Sequence, residues 1–322
     1  MYGAIVGDMA GSAYEFWPTK DKDFYWFPRE TRFTDDTVMT VAVAESLLEL
    51  NAESQSRAEA TDAADCGDAQ QTANRGFGDL TDDEIHAAFV RNMKKWGRRY
   101  ADAGYGGRFI DWLLLPETEP YGSYGNGSGM RVSPVGWMFD DIEMTRRIAR
   151  LSADVTHDHP EGIKGAEAVA SAIFLARTGS SKAEIKAYIE SEFDYDLGRT
   201  CAEIRPRYRF EVSCQKSVPE AIIAFLDGWD YESVIREAVS LGGDADTQGA
   251  MAGSIAEAYY GGVPERFREQ ADNLLPDDLR EVAATFYEQI VLPRLDEADG
   301  YSQAKKVDAE TESMCFGGFA KD

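Results

Sequence analysis

The chain has 322 residues, with 58 acidic against 33 basic side chains, a formal charge of −25 and 43% hydrophobic residues. That charge opposes the counterion-releasing contacts that hold proteins on nucleic acid or on anionic lipid, so neither is expected as a general partner. No run approaches the roughly 18–20 consecutive apolar residues of a membrane span, and the N-terminus lacks the pattern of a leader, so no membrane association is expected and the cytoplasm is the expected location.

Apolar residues recur at spacings of three and four, and alternating runs rich in Val, Ile and Thr are few, which predicts an all-α fold. In chain order the expected helices are Thr37–Leu50, Glu84–Tyr100, Met144–Leu151, Gly165–Thr178 and Lys182–Phe193. Pro219 suits the first turn of the next, running through Ile222, Ile223 and Phe225, because a first-turn N–H has no helical partner to lose. Tyr231–Leu241, Gln248–Tyr260 and Asp277–Ile290 complete the set. Residues 51–81 hold almost no large apolar side chains and read as a polar insertion between two helices; residues 294–322 read as a loosely held tail. One compact helical domain over 1–293 is the expectation. The four cysteines, Cys66, Cys201, Cys214 and Cys315, form no C-x-x-C pair and are expected to be reduced thiols.

Two acidic clusters stand at expected helix starts. In Phe33-Thr34-Asp35-Asp36-Thr37, Thr34 or Asp36 can cap the helix and Asp35 can favour its positive end, or the group can bind a hard cation through oxygen. Leu241-Gly242-Gly243-Asp244-Ala245-Asp246-Thr247 repeats the theme behind a glycine pair. A cap needs one short polar residue. Four carboxylates brought together need divalent cations, so two such clusters point to a two-metal centre.

Between them, Tyr121-Gly122-Ser123-Tyr124-Gly125-Asn126-Gly127-Ser128-Gly129-Met130-Arg131 is dense in glycine. It reads either as a long irregular turn or as a loop whose backbone approaches phosphate, and Arg131 either as an anion ligand or as a structural ion pair. Of three histidines, His86 is expected to be structural, and His157 and His159 are open between a helix start and a site. Gly7 to Glu15 places small residues at spacing four, suited to close helix packing, and Asp8 and Glu15 are unusual as surface charges on such a segment.

Taken together, these motifs resemble the ADP-ribosylglycohydrolase family. The resemblance rests on G-D-x-x-G-x-x-x-E at Gly7–Glu15, T-D-D-T at Thr34–Thr37, S-Y-G-N-G-x-x-M-R at Ser123–Arg131, T-H at Thr156–His157 and G-G-D-x-D-T at Gly242–Thr247, all in family order. It implies a single orthogonal helical domain with a binuclear magnesium or manganese cleft, hydrolysing the glycosidic bond at the anomeric carbon of ADP-ribose. It implies Thr34, Asp35, Asp36, Asp244, Asp246 and Thr247 as metal ligands. Gly122, Ser123, Tyr124, Gly125, Asn126, Gly127, Met130, Arg131 and His157 match the ADP-ribose-binding positions, and Glu15 and Asp102 are alternative general bases. ADP-ribose or an ADP-ribosylated protein, with arginine as acceptor, is then the expected partner. A dimetal nucleotide phosphoesterase and a non-catalytic ADP-ribose reader or structural protein are the competing readings.

Overall fold

Two glycine-bearing helices set the frame. Helix α1 (Tyr2–Ser12) is buried along its whole length, as is Ala245–Ala258 of helix α13 (Ala245–Tyr259), and the two lie backbone against backbone. A Cβ on Gly3 would fall 2.2 Å from the carbonyl oxygen of Gly253, and one on Gly11 would fall 2.2 Å from that of Ala245. The close packing expected from small residues at spacing four is therefore a helix pair in backbone contact at its glycines. Rich in Ala and Gly and buried almost throughout, α13 packs on its remaining faces against α8 (Pro160–Arg177), α11 (Cys214–Asp227) and α12 (Tyr231–Ser240).

This architecture is that of a computed structural model, which describes residues 1–62, 77–116 and 119–297. Among these residues there is no strand, only an isolated bridge between Gly125 and Ser213, and the chain forms one compact all-α domain. The remaining helices are α2 (Asp35–Asp62), α3 (Asp82–Arg99), α4 (Gly107–Leu114), α5 (Gly127–Met130), α6 (Ser133–Met138), α7 (Ile142–Asp154), α9 (Lys182–Phe193), α10 (Cys201–Ile204), α14 (Glu265–Leu274) and α15 (Asp277–Phe286). No described helix is long and apolar enough to cross a membrane.

Helix starts follow capping chemistry closely. Thr81, Ser181, Thr200 and Asp230 each accept from the backbone N–H three residues on, and the side chain at that position returns a bond to the cap. Helix α9 matches its expected span. Helix α11 does not start at Pro219: it begins at Cys214, whose N–H is held by the Tyr124 carbonyl, and carries Pro219 inside at the loss of one helical hydrogen bond.

Helix α2 runs through residues 51–62, where an insertion was expected. Ala, Glu, Gln and Arg are good helix formers even without large apolar neighbours, and Arg57 ties the extension to Glu53 and to Glu84 of α3 at 2.5 and 2.6 Å. Phe77 and Leu80, at the far end of that stretch, are core residues, and residues 63–76 lie outside the described ones. At the C-terminus the helix passes through a π-helical turn (Tyr287–Val291) and beyond residue 293; Arg294 donates to the Met138 carbonyl at 2.6 Å. Residues 298–322 lie outside the described ones, as do Cys66 and Cys315, while Cys201 and Cys214 are buried free thiols.

Candidate active site

Both acidic motifs open helices whose first turns come together. Thr34-Asp35-Asp36 leads into α2 and Asp244-Ala245-Asp246 into α13, so each set of carboxylates sits at a positive helix end. They meet on the floor of a cleft of about 480 Å³. Carboxylate oxygens of Asp8, Asp36 and Asp246 lie within 4.8 Å of one another, and so do those of Glu15, Asp244 and Asp246. The sequence expectation that the two clusters converge is met, with Asp246 common to both groups.

Asp8 is the acidic residue whose place in the cluster the motifs did not reveal. It is fully buried on α1, and its carboxylate accepts from Thr34 N at 2.9 Å, Thr34 Oγ1 at 2.8 Å, Thr37 N at 3.2 Å and Thr37 Oγ1. With both oxygens committed, Asp8 positions the Thr34–Thr37 turn and leaves the open face to others. The signal for it was a charge on a segment of small residues.

The two threonine hydroxyls are spent on carboxylates: Thr34 donates to Asp8, and Thr247 donates to Asp36 Oδ2 at 3.1 Å. Each retains lone pairs. Asp36 Oδ1 is buried with no partner, which is costly for a carboxylate unless a proton or a cation occupies the space it faces. Asp244 accepts from Asn126 Nδ2 at 2.7 Å, and Asp246 from Thr247 N at 3.0 Å.

Burial, and then mutual repulsion, hold these acids back from ionising. The carboxyls of Asp35, Asp36 and Asp246 are pushed well above the usual range, that of Asp244 to about 6, and that of Glu15 to about 8 with Asp246 as its main repelling neighbour. Two like charges 4 Å apart at an effective dielectric of 20 repel by about 4 kcal/mol, so the cluster is stable only with protons or cations in it. An all-oxygen donor set of carboxylates and hydroxyls suits Mg²⁺ or Mn²⁺.

The glycine-rich stretch forms the adjoining wall, tied to the floor by the Asn126–Asp244 bond. Several of its amides are already engaged: Gly122 N–H with Asp158 Oδ1 at 2.6 Å, Gly125 N–H with Ser123 Oγ at 3.2 Å, and Asn126 N–H with the Val212 carbonyl at 2.7 Å. Its glycines serve by being thin. A Cβ on Gly127 would come within 3.1 Å of the His157 ring.

His157 is buried beside this wall and held neutral, well below the usual histidine range, by burial and by the charges of Arg131 and Arg108. Arg131 donates to Thr156 Oγ1 at 2.9 Å, and Thr156 lies 2.8 Å from His157 Nδ1. Arg131 already donates to this hydroxyl, and the hydroxyl has no acceptor other than Nδ1 among the described residues, so its proton is assigned to Nδ1 and the ring N–H to Nε2. Arg131 itself is buried, with its guanidinium also bonded to the Ser152 carbonyl at the end of α7. Although it lines the cleft, Arg131 acts first as a support.

The remaining expected residues divide. Ser123, Met130, Glu15 and Asp35 line the cleft. Tyr124 is exposed and turns its ring against His159, which caps α8, and Gly122 lies outside the lining. Asp102 is exposed and also outside it, although the next residue's carbonyl accepts from Asp35 N at 3.0 Å. Phe16, Arg108, Phe210 and Val212 line the cleft without having been marked by any motif.

The ADP-ribosylglycohydrolase family model matches residues 1–296. The chain belongs to the ADP-ribosylglycohydrolase family. Among relatives, ADP-ribosylhydrolase ARH3 of Homo sapiens is 28% identical over 86% of this chain and 89% of its own length. ARH3 of Gallus gallus is 29% identical over 72% of this chain and 71% of its own. An uncharacterized protein of Archaeoglobus fulgidus is 33% identical over 50% of this chain and 57% of its own. An ADP-ribosylglycohydrolase-related protein complex shares the fold, with a TM-score of 0.60 at 24% identity over 89% of this chain and 95% of that one. As a member of this family the protein is a glycohydrolase.

Proposed function

We propose that this glycohydrolase releases ADP-ribose from modified arginine side chains of proteins, with two divalent cations, Mg²⁺ or Mn²⁺, held by Thr34, Asp35, Asp36, Asp244, Asp246 and Thr247. The observation that carries the reading is the joining of the acidic floor to the glycine wall through Asn126 and Asp244, which puts a cation-demanding cluster beside a thin-walled groove. Relatives named ADP-ribosylhydrolase support the substrate class.

When bound, the cations would supply the positive charge the floor lacks and orient the ribose hydroxyls. Glu15, at the cleft edge next to Asp244 and Asp246, takes a proton from the water that attacks the anomeric carbon; Asp102 is the alternative base but is less well placed, being exposed outside the lining. The neighbouring carboxylates favour the oxocarbenium character of a glycosidic transition state. Residues Gly122 to Gly127, with Met130 and Arg131 behind them, shape the groove for the diphosphate and distal ribose, and His157 offers its Nε2–H.

An ADP-ribosyl-arginine protein incubated with Mg²⁺ or Mn²⁺, against an EDTA control, tests this. Release of intact ADP-ribose only with metal is expected; release of AMP would replace the reading with phosphoester cleavage, and binding without release would replace it with a reader.

A further inference from the structure

Phe16 and Phe210 come from loops far apart in sequence, one after α1 and one between α10 and α11, yet their rings lie 6.4 Å apart with planes at 23°. Both line the cleft, and both stay open to solvent, at 65% and 53% exposure. Phe16 directly follows Glu15, so the ring pair stands at the end of the cleft where Glu15 meets Asp244 and Asp246. Large rings held together at solvent over a site mark a surface that something else covers.

The loops carrying them are built into the site. Lys20 Nζ donates to the Tyr208 carbonyl at 3.0 Å and to that of Leu241, clamping the Phe16 loop to the Phe210 loop and to the turn before Asp244. The Gly242-Gly243 pair makes this possible. Gly242 has φ +66°, and a Cβ there would lie 2.8 Å from the Thr19 carbonyl oxygen; a Cβ on Gly243 would lie 2.3 Å from the Tyr208 ring. The glycines that introduce the second acidic motif thus seat both ring-bearing loops.

The other cleft wall already suits the ADP-ribose half, with thin glycines, the His157 Nε2–H, and Arg108 over the Tyr121 ring at 4.8 Å. The Phe16–Phe210 wall offers two aromatic faces beside the Glu15 carboxyl. Its neighbours Arg32 and Arg209 are exposed and form no salt bridge among the described residues, although the chain has 58 acids to 33 bases. At about 0.1 M salt, screening beyond roughly 10 Å means that local charges, these two guanidinium groups among them, act on what docks at the mouth more than the overall charge of −25 does.

We propose that Phe16 and Phe210 form the acceptor subsite, covering the modified side chain and adjoining backbone of an ADP-ribosylated polypeptide whose flanking acidic residues pair with Arg32 and Arg209. This rests on the reaction proposed above. Stacking on exposed rings and pairing with guanidinium groups would give affinity for the polypeptide without any contact to ADP-ribose.

The test compares an ADP-ribosyl-arginine peptide flanked by aspartate and glutamate, the same peptide flanked by lysine, and free ADP-ribose as a product inhibitor. In Phe16→Ala and Phe210→Ala, kcat/KM for the acidic peptide should fall about tenfold while the Ki of ADP-ribose stays within about twofold. Arg32→Glu with Arg209→Glu should reverse the preference between the two peptides. A Ki that rises in step with the loss would assign the rings to the ADP-ribose half and overturn the proposal, as would unchanged kcat/KM. If the wild-type protein cleaves neither peptide, the reaction fails, but the peptides are then stable ligands. The same comparison, read as Kd of peptide against ADP-ribose, still decides the subsite.

Discussion

Gly7 and Gly249 face each other with no room for a side chain on either: a Cβ on Gly7 would lie 2.1 Å from the Gly249 carbonyl oxygen, and one on Gly249 would lie 2.3 Å from that of Gly7. Asp8 follows on one helix and Asp246 lies one turn earlier on the other, so this contact sets how near the two carboxylates stand. Gly7→Ala and Gly249→Ala should each destabilise the protein by about 1–3 kcal/mol or more, because the clash is with backbone that cannot rotate away. The double variant should cost less than the sum, since the first change already parts the helices. Urea denaturation of the three variants measures both effects.

The acidic cluster predicts opposite responses with and without metal. Asp246→Asn removes a carboxyl that burial and Asp244 keep from ionising, and with it the cost of taking up a proton on folding, so the EDTA-treated variant should be more stable than EDTA-treated wild type, on the order of 1 kcal/mol. The same variant should lose the rise in Tm on adding Mg²⁺ or Mn²⁺, and at least about a hundredfold in ADP-ribose release. Thermal denaturation in EDTA and in metal is the check; a variant less stable in both would count against charge crowding.

Thr156 transmits Arg131 to His157. Thr156→Val keeps the shape but leaves a buried guanidinium N–H and His157 Nδ1 without their partner, at a cost of roughly 1–3 kcal/mol. It also frees the imidazole to place its proton on Nδ1, so ADP-ribose affinity should fall about tenfold and return in Thr156→Ser. Titration calorimetry with ADP-ribose, together with ¹⁵N spectra of the ring, reports the two effects separately.

His86, on α3, contacts Asp154 through Nε2 at 2.6 Å, and this bond raises its pKa above the usual 6.5. A raised histidine stabilises the fold fully below the unfolded value near 6.5 and loses that contribution as pH climbs through the folded one. The stability difference between wild type and His86→Gln should therefore be about 0.5–1 kcal/mol at pH 6 and shrink as the pH rises past 6.5 through the folded value, the pair being partly exposed. Chemical denaturation across that range follows it.

The helical class and the span of α9 were legible because they depend on the spacing of apolar residues read locally. The T-D-D-T and G-G-D-x-D-T motifs were legible because two carboxylates and a hydroxyl at a helix start form a pattern within a few residues. The continuation of α2 through residues 51–62 was hidden because helix propensity without large apolar residues looks like a linker in composition. Pro219 misled because its fit to a first turn is a preference that Cys214, anchored to the Tyr124 carbonyl, overrides.

By itself, the sequence determined an acidic, all-α chain with two oxygen-rich motifs and a glycine-dense loop, since composition and short-range spacing carry that information. Tertiary structure alone decided that Asp8 supports the cluster, that Asp102 stays outside the cleft, and that Phe16 meets Phe210 across its mouth. Those relations join residues dozens to hundreds of positions apart. They exist only because glycines on α1 and α13, and again at Gly242 and Gly243, let backbones approach to distances that any Cβ would forbid.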